Sequence, residues 1–189
     1  MRKITRPDCP NFTALSGGDY KHPDNKDALQ SASHGKCMYC ESSVLHISYG
    51  DVEHIKPKSR YPQLEFDWLN LGFVCSKCNG TKRDKYSEEQ PFINPYDEDP
   101  DLYLVATGAT LWGKTDRGKH TIVEIGLNRV DLLERRKEKL KVIQSLINAW
   151  KGLSSAPEKE CIRNLIEELA HESKEHSLCI KSIVDAELQ

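Results

Sequence analysis

From residue 37 the chain reads CMYCESSVLHISYGDVEHIKPKSRYPQLEFDWLNLGFVCSKCNGTK, ending at Lys82. Two cysteine pairs of equal spacing mark this stretch, Cys37-x2-Cys40 and Cys75-x2-Cys78, with 34 residues between them. Two intervening residues let both thiolates of a pair bend onto one tetrahedral ion, with backbone amides turned toward the sulfurs. Four cysteines so arranged predict one closed Zn2+ site, structural because no coordination position is left open. The separation exceeds that of a simple ribbon, so a working segment is inserted between the knuckles. A thioredoxin-like role is disfavoured, because there are two pairs and no surrounding parallel βαβ pattern.

The remaining sequence sets bounds around this segment. There are 189 residues, 27 Lys+Arg against 29 Asp+Glu, for a formal charge of −2. That length suits one domain or a small core with an appendage, long enough to need no disulfide staples. No run of about 18 apolar residues exists, which excludes a membrane-spanning helix. The basic start at Met1 has no apolar stretch behind it, so no secretory signal is expected. The cysteine count is seven, and Cys9, Cys161 and Cys179 stand alone, as suits a reducing compartment. The balanced charge argues against a sequence-independent nucleic-acid coat protein.

Four regions follow from patterning: an N-terminal arm (1–35), a zinc-bearing core (36–86), an acidic loop with short strands (87–126) and a helical region (127–189). Pro7, Pro10, Gly17, Gly18 and Pro23 predict an irregular arm with one helix near 25–33. Residues 39–49 are short enough for a hairpin, and 66–71 for a helical turn delivering Asn70. A helix is expected to open near Cys78. Residues 86–101 hold six acids, no base and three prolines. Strands are expected at 102–105, 110–112 and 121–125. Asn128 is a candidate cap for a helix striped by Leu133, Leu140, Ile143, Ile147 and Trp150. A second stripe, Ile162, Leu165, Ile166, Leu169, Ile180 and Ile183, completes a helical hairpin.

Between the knuckles lie Asp51-Val52-Glu53-His54-Ile55-Lys56-Pro57 and Trp68-Leu69-Asn70-Leu71, and Asn79-Gly80-Thr81-Lys82 follows the fourth cysteine. In this order, over roughly residues 37–85, these pieces resemble the HNH nuclease family. The resemblance implies an α+β fold: a ββα-metal HNH core with four-cysteine zinc knuckles, here joined by a small β region and the helical hairpin. It further implies metal-dependent hydrolysis of phosphodiester bonds in DNA or RNA. His54 is then the general base, since a neutral imidazole near pH 7 can take a proton from water. Glu53 and the Asn79 carbonyl are ligands of a catalytic Mg2+ or Mn2+, a hard ion that prefers oxygen. Asp51 is a further ligand or an outer carboxylate, and Asn70 orients the loop and His54. Lys56, Lys58, Lys82 and Arg83 are the candidate nucleic-acid contacts. Two positions depart from the common pattern: Glu53 stands where many relatives carry Asp or His, and Asn79 where a His is frequent.

Residues 36–85 hold eight basic and six acidic side chains, a weak positive balance for a nuclease acting alone. The likeness extends to Met1-Arg2-Lys3-Ile4, to Asn94-Pro-Tyr-Asp-Glu-Asp-Pro100 and to residues 118–129 (Gly-Lys-His-Thr-Ile-Val-Glu-Ile-Gly-Leu-Asn-Arg). These are similar to the PtuB-type branch, which serves Septu and some retron-associated antiphage systems. The resemblance implies a cytoplasmic bacterial effector beside an ATPase subunit of PtuA type, with a homo-oligomer as another assembly. A zinc-dependent binding or scaffold module without catalysis is the alternative reading, disfavoured by intact Glu53, His54 and Asn79.

Overall fold

The computed structural model describes residues 1–44 and 49–188. The elements are α1 (Phe12–Ser16), α2 (Pro23–Ala32), β1 (Asp51–His54), β2 (Leu71–Val74), α3 (Ser76–Lys82), β3 (Leu104–Thr107), β4 (Thr110–Gly113), α4 (Asp116–Ile125), α5 (Val130–Gly152), α6 (Ala156–Ala170) and α7 (Ser177–Glu187). Single 3-10 turns occur at Pro62–Leu64, Trp68–Asn70 and Pro100–Leu102. The class is α+β as expected, with two separate antiparallel strand pairs, β1–β2 and β3–β4. The hairpin expected over 39–49 falls partly on residues 45–48, His46 among them, outside the described residues; an isolated bridge joins Lys36 and Ser43.

The centre is built on β2. Leu71-Gly-Phe-Val is a short apolar run bounded by turns, and all four residues are buried. Its register pairs Asp51 with Val74, Val52 with Phe73, Glu53 with Gly72 and His54 with Leu71. Burying Leu71 and Phe73 contributes roughly 1.5–3 kcal/mol each. The first knuckle lies against this strand, with the Met38 amide donating to the Phe73 carbonyl at 3.0 Å. Gly72 permits the approach, since a Cβ there would sit 2.2 Å from the Met38 sulfur. After β2 the second knuckle opens α3: Cys75 is the N-cap, its Sγ accepting from the Cys78 amide at 3.4 Å.

The N-terminal arm is more ordered than its proline and glycine content predicts, with α1 preceding α2. Arg6 bonds the carbonyls of Trp68 (2.8 Å), Leu71 (2.9 Å) and Leu69 (3.0 Å), and its guanidinium lies 4.1 Å from the Tyr96 ring centre. The Trp68 indole donates back to the Pro7 carbonyl at 2.8 Å. The arm therefore clamps the turn that delivers Asn70.

Three expectations for the later chain need correction. Residues 121–125 belong to helix α4, where Thr115 caps through Gly118 and Gly126 closes the end with φ of 69°. These caps outweigh the β-branched Thr121, Ile122 and Val123. Asn128 does not cap α5; its amide pairs with both backbone groups of Leu111 (3.0 and 2.8 Å), tying β4 to the helices. The helical hairpin is a three-helix group, because residues 171–176 break the second stripe and α7 returns toward the first knuckle. Among the described residues, no helix is long and apolar enough to cross a membrane.

That return is organised by Glu41, directly after Cys40 and in the left-handed region at φ 61°. Its carboxylate accepts from Ser177 Oγ (2.8 Å), the Leu178 amide (3.4 Å) and the Met1 amino group (3.1 Å), and Lys36 Nζ lies 3.6 Å away. Burial pushes its pKa up, but the Met1 ammonium, Lys36 and Ser177 outweigh burial and hold it at about 2 against an ordinary 4.5. A depressed carboxylate pKa stabilises the fold above the unfolded value, and that stability is lost as pH falls through the folded value. Wild type should therefore lose about 3 kcal/mol between pH 5 and pH 2 through this group. Glu41→Gln should lack that increment in denaturant titrations, and matching pH slopes would remove Glu41 as the cause.

Candidate active site and zinc centre

The sulfurs of Cys37, Cys40, Cys75 and Cys78 lie within 4.8 Å of one another, and all four residues are buried. Cys40 and Cys75 Sγ are 3.9 Å apart. A tetrahedral ion with Zn–S near 2.3 Å requires sulfur separations of about 3.8 Å. The donor set and spacing therefore fit a zinc ion, which would stitch the first knuckle to the β2–α3 junction. Four thiolates around Zn2+ leave two excess negative charges. Arg129 addresses them, with Nη1 3.4 Å from Cys78 Sγ. Burial opposes charge on this guanidinium, yet Cys78 and Cys40 raise its pKa above the ordinary value.

Beside the four-cysteine cluster, β1 and α3 face each other. Asp51 and Glu53 share one face of the strand by their two-residue spacing. Asn79 and Lys82 share one face of the helix by their three-residue spacing. The two faces meet rung by rung: Asn79 Nδ2 donates to Asp51 Oδ2 at 3.1 Å, and Lys82 Nζ lies 2.6 Å from Glu53 Oε1. Asp51, Glu53 and Asn79 thus bring oxygen donors to one side of the strand. With Nδ2 committed to Asp51, Asn79 keeps its carbonyl oxygen for another partner. Few protein oxygens suit Mg2+ or Mn2+, which retain several waters. Burial pushes the Glu53 pKa up, against the pull of Lys82.

His54 ends β1 and is 8% exposed. Its Nε2 is 2.9 Å from the Glu65 carbonyl. A carbonyl only accepts, so Nε2 carries the hydrogen and Nδ1 keeps its lone pair in the neutral ring. Burial lowers the His54 pKa, so the ring is neutral at pH 7. The strand geometry alone would send Glu53 and His54 to opposite faces, yet both line one shallow depression of about 150 Å3, with Pro57, Lys58, Ser59, Arg83 and Asp84. Asn70 shapes the loop that follows His54. Its side chain accepts from the Lys56 amide (2.8 Å) and donates to the carbonyls of Lys56 (2.9 Å) and Leu64 (3.1 Å).

These contacts bring together His54, Glu53, Asn79, Asp51 and Asn70, and the four basic residues differ in how they stand to that group. Lys56 and Lys58 are solvent-facing and rest on Glu88 (3.2 Å) and Glu65 (2.6 Å), pairs that solvent screens. Arg83 is exposed at the end of α3. Lys82 requires correction: it is 0% exposed, bonded to Glu53 and the His54 carbonyl, and so cannot meet a phosphate at the surface. Sequence reading missed Tyr20. Its ring stands edge-on to the His54 ring, centres 4.6 Å apart, with Lys58 Nζ 4.9 Å from its centre. No local pattern marks Tyr20, since the contact spans 34 residues of chain. Lys82 had a usable signal, in the match between Asp51-x-Glu53 and Asn79-x2-Lys82.

Residues 37–85 match the model of the HNH endonuclease family. This segment is similar to HNH domains. The chain is also 36% identical to the Septu protein PtuB of Bacillus thuringiensis, over 69% of this chain and 50% of that protein. It is 28% identical to the Septu protein PtuB of Bacillus mycoides (strain KBAB4), over 72% of this chain and 58% of that protein. The chain spans about half the length of the curated relatives it matches. The matched segment coincides with the knuckles, β1, β2 and α3, so it covers the site apart from Tyr20 and Arg129 and leaves the arm and the C-terminal helices outside it.

Proposed function

We propose that the chain is a metal-dependent endonuclease that hydrolyses phosphodiester bonds in DNA or RNA, with His54 as general base. The observation that carries this reading is the His54 ring inside the HNH domain, neutral, fixed through Nε2 and with Nδ1 left to accept a proton from water. Glu53, Asn79 and Asp51 would hold a divalent cation, which when bound relieves charge on the phosphate and on the departing oxygen. Asn70 holds the loop whose Glu65 carbonyl orients the base. Tyr20 walls the ring and limits its rotation. Lys56, Lys58 and Arg83 form the exposed cationic rim, where phosphates can replace the carboxylates that Lys56 and Lys58 now face. Purified zinc-loaded protein, given plasmid and tRNA separately, should cut at least one of them with Mg2+ or Mn2+ and neither without added divalent ion. Binding without cutting under every metal condition would instead establish a zinc-dependent binding module.

The likeness to PtuB supports a place in a Septu-type antiphage system, beside an ATPase subunit of PtuA type. Val142 on α5 and Leu165 on α6 are exposed apolar side chains that such a partner could cover. The weak positive balance of the HNH domain also fits a nuclease that relies on a partner for substrate hold. Co-expressed ATPase subunit should co-purify with wild type and be lost when Val142→Asp and Leu165→Asp are combined. Undiminished recovery would move the interface to the arm or the acidic loop.

A further inference from the structure

Lys82 is one of the largest side chains with no exposed surface in this protein. An unpaired buried ammonium is costly, so such a group is retained only with partners. Its Nζ lies 2.6 Å from Glu53 Oε1 and donates to the His54 carbonyl at 2.9 Å. The Phe92 ring lies on another side, 6.0 Å from the amine to the ring centre, and Phe92 is itself buried. Both polar partners therefore belong to two adjacent site residues at the end of β1. The lysine springs from α3 three residues after Asn79, so one helix face contributes an amide at Asp51 and an ammonium at Glu53.

We infer that Lys82 is a positioning residue, the standing counter-cation of Glu53 and the latch that fixes the strand end presenting His54. The Glu53 carboxylate is thereby assembled and aimed before any divalent ion arrives. An incoming ion has to share that carboxylate with an ammonium already in place, which makes its binding weaker than the oxygen donors alone provide. The inference rests on the reading of Glu53 as a metal ligand for its second half only.

The test begins with zinc-loaded protein without added Mg2+ or Mn2+, using Lys82→Met, Glu53→Gln and the double variant. Lys82→Met strands a buried carboxylate and should lower Tm by roughly 10 °C. The double variant should lose clearly less than the sum of the single losses, because neither charge is then left alone. Additive losses would overturn the inference. Should Lys82→Met fail to fold, the double variant decides: recovered folding supports the pairing and equal failure overturns it.

A Mn2+ titration follows. Mn2+ should raise the Tm of Lys82→Met more than that of wild type, and the half-saturating Mn2+ for cleavage should fall several-fold. A merely structural lysine would leave that half-saturation unchanged, and this outcome overturns the positioning role. A variant that keeps its Tm but loses nucleic-acid affinity makes Lys82 a substrate contact and also overturns it. Coupling between Lys82 and Glu53 with no Mn2+ response in any variant counts instead against Glu53 as a metal ligand, so the two readings fail separately.

Discussion

His54→Ala is expected to cut cleavage by about 100- to 10,000-fold, the usual cost of removing a general base. Zinc content, fold and nucleic-acid affinity should remain nearly those of wild type. The ring contributes one hydrogen bond and an edge contact with Tyr20, so its removal leaves a small void beside a strand held by β2 and Lys82. Excess Mn2+ should not restore the rate, because a metal ion does not replace a proton acceptor. It should partly rescue Glu53→Ala and Asn79→Ala, which lose ion binding. The wild-type rate should fall with decreasing pH below the folded His54 pKa, which burial sets lower than the ordinary 6.5. The same depression links to stability. The unfolded chain binds a proton first, so this group's contribution is complete above about pH 6.5 and declines as pH falls below it. Contaminant-free His54→Ala protein cutting at the wild-type rate would end the assignment of this residue.

Loss of the zinc centre should be larger still in free energy. Binding energies of structural Zn2+ sites run to about 10–16 kcal/mol, comparable to the whole stability of a domain. Cys78→Ser, or chelation of the wild type, should therefore unfold the HNH domain or leave it molten. The route to the active site is short. Cys75 follows β2 directly and caps α3, and α3 carries Asn79 and Lys82. Releasing the knuckle frees both rungs between α3 and β1, so cleavage should vanish with the metal. Readdition of Zn2+, and not of Mg2+ alone, should restore structure and then activity. Folded, active protein with no zinc by elemental measurement would show that packing alone holds the four cysteines.

How legible these features were depends on how local their causes are. The knuckles, the Glu53-His54 pair and the turn at Asn70 are short-range patterns, and they are found where the sequence places them. The four-cysteine cluster was readable because Cys-x2-Cys is a geometric statement about two sulfurs. Residues 121–125 misled because β-branched side chains speak for a strand, while the decisive signals lay outside them in Thr115 and Gly126. The gap between Leu169 and Ile180 in the second stripe was the signal of a third helix, and it was read as part of one hairpin arm. Tyr20 and Arg6 were not legible at all. Their partners lie 34 and more than 60 residues away, and nothing in the neighbourhood of either residue encodes that meeting. Lys82 was misplaced because a lysine on a short helix is usually solvated, and its burial follows from a carboxylate on another element.

The bonds at Glu41 also set an order of events. Its contact with Ser177 joins residues 136 positions apart, and Lys36 reaches the carbonyls of Glu172 and Lys174 over similar separations. A ribosome delivers residues at roughly 5–20 per second, so the HNH segment emerges several seconds before these partners. During that interval Glu41 lacks the Ser177 and Leu178 partners that it has in the fold. These contacts at the first knuckle close only after α7 has been made. A chain interrupted before α7 lacks the Ser177 and Leu178 partners of Glu41, so limited proteolysis should open its first knuckle faster than that of the uninterrupted chain.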